Sequence, residues 1–196
     1  MTTTDPRETA DVPEWEDDYL DRVSDRLLHN YDLEKDRRVQ GGSFDLYGEM
    51  RMHSEKHFLH PALSYAEHHS TEHLLVRRQD GVTVADLEAL VALGHDLADA
   101  WIEHDEEHFS TEFIFGVVAD SIPDDVRSFV ADFSDRQLLK YGFEGHYEIH
   151  LLAVAPEANS LVASPNADVE QAFRLWDPIE TSEPGWWELF TRRMQL

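Results

Sequence analysis

Between Ser110 and Asp120 the chain reads STEFIFGVVAD, with apolar side chains on both faces of an extended segment. A strand of that kind has no solvent side, so it belongs in the middle of a sheet. Every other element must be arranged around it. From Phe44 the hydrophobic period is also two: Phe44, Leu46, Met50 and Met52 alternate with Asp45, Tyr47, Glu49, Arg51 and His53. Thr71–Arg78 reads as a second strand with Leu74 and Val76 inward, and Phe143–Ala155 as a fourth, in which Tyr147, Ile149, Leu151 and Ala153 alternate with His146, Glu148, His150 and Leu152.

Helical patterns separate these strands. Pro13 opens a segment whose Trp15, Tyr19, Val23 and Leu27 recur every four residues, with acids at its positive end. Gly41-Gly42-Ser43 reads as a turn after it. Thr83 is a good N-cap with Asp86 three residues on, and Leu87, Leu90, Val91, Gly94, Leu97, Ala98 and Trp101 share one face of the helix that follows. Pro123 starts a short helix, Ala167–Trp176 another, and Trp186–Leu196 forms a last amphipathic segment. The order predicts an α+β fold: a mainly antiparallel sheet of about four strands with helices packed on one face. Residues 1–12 read as a flexible acidic tail and 13–196 as a single domain.

Charge restricts the surroundings. The net charge is −25, from 41 acidic and 16 basic residues, and Lys35, Lys56 and Lys140 are the lysines. Such repulsion opposes compaction in dilute buffer, whereas in molar salt the screening length falls to about 3 Å. Acids spread along the whole length therefore read as adaptation to a high-salt cytosol. No basic stripe is present, which argues against nucleic acid as a partner. The chain lacks cysteine, which excludes disulfides, thiolate zinc sites and a cysteine nucleophile. Met1–Asp11 has no apolar core to serve as a secretory signal, and Phe113–Ala119, the longest near-continuous apolar run, is too short to span a bilayer.

Twelve histidines are present, six of them between His53 and His73. If Leu74, Val76, Met50, Met52, Ile149 and Leu151 all face one core, alternation puts His53, His73, His146, Glu148 and His150 together on the other sheet face, beside Glu49 and Arg51. Along the last strand His146, Glu148 and His150 are same-side neighbours roughly 7 Å apart per step. Two imidazoles and a carboxylate form a set suited to Zn, Mn or Fe. A solvated polar face would carry the same residues. His104, Glu107 and His108 match H-x-x-E-H, the inverted zinc-protease spacing, in a position where a charged final helix turn also accounts for them. Gly94-His95-Asp96 resembles the histidine–aspartate pair of metal-dependent phosphohydrolases, a class that is all-helical, whereas strands flank it here.

Two functional classes follow. One is a binding or regulatory module, with Arg51, Arg77 and Tyr47 receiving a small anionic ligand, because arginine presents a planar fork of donors. Its alternative partner would be a protein, including a second copy docked through Trp186, Trp187 and Phe190. The other class is a metal-dependent hydrolase on the histidine face. No nucleophile elbow, Walker loop or dinucleotide fingerprint occurs, which favours the binding class.

Overall fold

A computed structural model describes residues 13–55, 67–103 and 108–177. The tail 1–12, His104 and Glu107, and the segment holding Trp186, Trp187 and Phe190 lie outside the described residues, as does the side chain of His53.

The first helix, α1 (Asp18–Leu27), starts later than Pro13 because Asp17 caps it, accepting from Tyr19 N at 2.9 Å and Leu20 N at 3.1 Å. Its stripe of Leu20, Val23 and Leu27 is fully buried, each side chain contributing about 1.5–3 kcal/mol. Strands β1 (Asp32–Val39), β2 (Gly42–Glu55) and β3 (Glu67–Arg78) follow. Helix α2 (Val84–Trp101) carries the expected capping box, with Thr83 and Asp86 bonding each other's backbone N–H. Then come β4 (His108–Val118), α3 (Asp124–Asp132), β5 (Asp135–Leu138), β6 (His146–Ala155), β7 (Ser160–Ala163) and α4 (Glu170–Phe173).

The expected four-stranded antiparallel sheet is corrected to a seven-stranded mixed one among the described residues. The order is β1-β2-β3-β4-β6-β5, with β7 also beside β6. β3, β4 and β6 run parallel, while β1, β2, β5 and β7 are joined antiparallel to their neighbours. The parallel pairs arise because α2 and α3 act as crossovers, which carry the chain back to the starting edge of the sheet. The missing strands had no legible period: β1 is a charged edge strand, and β5 and β7 have four residues each.

Helices also lie on both faces, not one. α2 and α3 cover a core containing Leu75, Phe113, Phe115, Ile149 and Leu151. α1 and α4 cover a second core containing Leu46, Met50, Leu74, Val76, Ile114 and Leu152. Tyr19 joins those two helices by donating from its hydroxyl to the Phe173 carbonyl at 2.6 Å. On the opposite face α2 sits so close to the sheet that a Cβ on Gly94 would lie 2.8 Å from Ile149 Cδ1. That contact accounts for Gly94 by packing. Its neighbour His95 bonds Tyr147 Oη at 2.9 Å and faces Asp135 Oδ2 at 3.1 Å, tying α2 to β6 and β5.

Candidate functional site

Strand register decides which polar residues meet. His73 pairs with Phe113 and Leu74 with Ile114, which in turn pairs with His150. His73 therefore points to the α2 side, against Trp101 and Phe113, and His150 to the α1 side. The expectation that His73 shares a face with His146, Glu148 and His150 is overturned. Its premise was a single core, but Leu74 and Ile149 belong to different cores, so inward on β3 is outward on β6. A one-residue difference in parity moves every side chain to the other face.

On the α2 side, beside the last turn of that helix, a cavity of about 530 Å3 opens at the end of the sheet. Its lining includes Arg37, Tyr47, Glu49, Arg51, His69, Thr71, His73, Trp101, Glu103, His108 and Thr111. Two registered pairs lie in it, His69 beside His108 and Thr71 beside Thr111. Aromatic rings make one wall: His73 stacks on Phe113 at 5.3 Å between centroids and meets Trp101 edge-on at 5.0 Å. Tyr47 Oη lies 2.8 Å from His73 Nδ1, and the Arg37 guanidinium sits 4.9 Å above the Tyr47 ring. Burial holds the His73 imidazole down at about 4, so it is neutral at physiological pH. His108 must donate from Nδ1 to the Glu144 carbonyl at 2.7 Å, which leaves Nε2 facing Thr111 Oγ1 at 2.9 Å.

The reverse side of the same strands is different. Glu72, Glu112 and Glu148 stand side by side on β3, β4 and β6. Tyr31 donates from its hydroxyl to Glu72. His150 Nε2 lies 3.5 Å from Glu112 Oε2 and 3.6 Å from Glu148 Oε2, and His146 Nε2 is 3.3 Å from Glu148 Oε1. A hydrogen bond from His146 holds the Glu148 carboxyl below its ordinary value. The His150 ring is 3% exposed, and its Nε2 makes no hydrogen bond among the described residues. No group of three His, Asp or Glu side chains among those residues stands arranged to hold a metal ion.

The model of a family described as "Domain of unknown function (DUF8052)" matches residues 16–175, a span that holds every element from α1 to α4. The chain belongs to the DUF8052 family. No curated protein and no solved structure matches it. No helix among the described residues is long and apolar enough to cross a membrane.

Within this DUF8052 domain the expected site residues divide. Tyr47 and Arg51 reach the pocket, Arg51 held by Glu49. Arg77 lies six residues beyond Thr71, the β3 partner of Arg51, hence roughly 20 Å away along the strand. The three do not converge. His53 is placed by its backbone, paired with His69, and His108 of the H-x-x-E-H segment opens β4 in the pocket lining. Sequence reasoning missed Glu72, Glu112, Thr71 and Thr111. Their signal was present: Ser70-Thr71-Glu72 recurs as Ser110-Thr111-Glu112, and the two tripeptides lie in register on neighbouring parallel strands. In each, threonine faces the pocket and glutamate the reverse side.

Proposed function

We propose that this DUF8052 domain is a binding module for a small anionic ligand with a flat apolar part, held in the pocket between α2 and the sheet. The lining carries that reading: guanidinium and hydroxyl donors next to an aromatic wall, in a cavity within the range of small-molecule sites. Arg51 already pairs with Glu49, but the guanidinium itself is largely exposed, and ion pairs of exposed arginines hold little energy against a ligand that offers the same fork contact. Neutral His73 adds a polar ring without competing charge. The net charge of −25 is read as adaptation to a high-salt cytosol, where the arginines would be screened from the bulk acid surface.

Calorimetric titration with phenyl phosphate and benzoate, in molar potassium chloride and at lower salt, tests this. One molecule of at least one probe should bind per chain, Arg51→Ala should weaken it, and Arg77→Ala should leave it unchanged. Absence of binding by both probes, or binding indifferent to Arg51→Ala, would refute the pocket.

A second reading, a metal-dependent hydrolase on His146, Glu148 and His150, is favoured by one observation: the buried His150 Nε2 set between two carboxylates. To hold a divalent Zn, Mn or Fe ion, His146, Glu148, His150 and Glu112 would have to draw closer together than they stand, since no three of them are arranged around a common point. Metal analysis of the full chain and of His146→Ala and His150→Ala separates the readings. Stoichiometric metal lost in both variants supports this one, and a metal-free parent removes it.

A further inference from the structure

The exposed large apolar side chains of the described residues all fall within six positions: Leu138 at 62%, Tyr141 at 95% and Phe143 at 86% exposure. They surround the 3₁₀ turn Leu139–Gly142 that follows β5. Such side chains scattered singly would need no explanation, but here they are gathered. The turn is also held in an unfavourable conformation, with Lys140 at φ 43° and Tyr141 at φ 61°, both in the left-handed region that non-glycine residues avoid. The surroundings enforce it. Leu139 N donates to the Gly145 carbonyl at 3.0 Å, Phe143 N to the Lys140 carbonyl at 3.3 Å, and Lys140 bonds the buried Glu144. Strain kept in place by such contacts marks a segment whose shape is used.

We infer that this turn and β5 form a self-complementary interface on which a second copy of the chain docks. Charge favours that occupant. Asp135, Arg136, Lys140 and Glu144 cancel, so residues 135–145 form a neutral island on a chain of net charge −25. Over most of the surface two approaching copies bring acid against acid, whereas two islands meet without that repulsion. Area sets a second condition. Two aromatic side chains offer about 300–500 Å2 on each copy, or about 600–1,000 Å2 together, below the roughly 1,200–2,000 Å2 of a stable interface. The turn alone is not enough. β5, an end strand of the sheet with Arg136, Gln137 and Leu138 exposed, supplies the remainder. Antiparallel pairing of two β5 strands about a twofold axis at Gln137 sets Gln137 opposite its own copy and Arg136 opposite Leu138. No like charges face one another in that register. The inference is independent of the pocket reading.

Light scattering and sedimentation of the full chain in molar potassium chloride, across a range of protein concentrations, test it. The parent should run at twice 22.7 kDa. Tyr141→Ser with Phe143→Ser should weaken dimerisation on the order of tenfold or more, with circular dichroism unchanged, because both side chains are exposed. Leu138→Lys, which puts a cation opposite Arg136 of the second copy, should also weaken it, and Leu138→Asp should not. A parent that is monomeric at every concentration overturns the inference. So does a dimer that survives the double variant, or one lost only in Trp186→Ala/Trp187→Ala.

Discussion

Thr71 and Glu72 are neighbours in sequence, as are Thr111 and Glu112, yet each pair divides between two unlike environments. On the α2 side the polar groups are neutral or paired, edge an aromatic wall and border an open cavity. On the α1 side carboxylates and imidazoles are packed side by side and largely buried. The first arrangement suits reversible binding, because its donors can exchange partners at small cost. The second is a fixed network, in which removing a partner leaves a buried charge short of a bond.

Four perturbations sharpen that contrast, and the largest acts on both faces together. Gly145 has φ +74°, and a Cβ there would lie 2.2 Å from the Phe109 carbonyl oxygen at the entry to β6. Gly145→Ala should cost about 3 kcal/mol or more in chemical denaturation. Acid comes next. An unfolded histidine takes its proton near 6.5, whereas buried His73 does so at about 4, so folding stability is intact above that window and is lost as pH falls through it. The loss should reach roughly 3 kcal/mol at most, and His73→Asn should flatten it. Glu148, whose folded value is depressed by His146, gives stability that is present above the ordinary carboxylate range and is lost as pH falls through the folded value. The reverse face thus fails in more acidic solution than the pocket face begins to.

Tyr31 and Tyr47, both buried, provide a matched pair of smaller effects. Tyr31→Phe removes a donor to a carboxylate and should cost about 1.5–3 kcal/mol. Tyr47→Phe removes a bond to a neutral imidazole and should cost about 0.5–1.5 kcal/mol. Equal losses in thermal or denaturant unfolding would dissolve the distinction between the faces.

Local features of the fold are legible in the sequence. Thr83 and Asp86 announced the start of α2, and the doubly apolar run after Glu112 announced a central strand. What could not be read was how strands relate to one another. Alternation fixes parity only against a solvent side, and Leu74, Ile114 and Leu152 have none, since both faces of the sheet carry a core. Parallel pairing was hidden for a related reason: whether α2 and α3 are crossovers depends on the register of β3, β4 and β6, which no single segment encodes. The charged residues of β1 and the four residues of β5 offer no hydrophobic period at all. The histidine set was therefore assembled across two faces, while the repeated Ser-Thr-Glu, which does mark adjacent strands, went unused.

Phenyl phosphate titration of two double variants bears most directly on the division between the faces. Thr71→Val/Thr111→Val alters only the pocket side of β3 and β4, and Glu72→Gln/Glu112→Gln only the reverse side. The account predicts that binding is lost in the threonine pair and kept in the glutamine pair. Loss in the glutamine pair with retention in the threonine pair would contradict it.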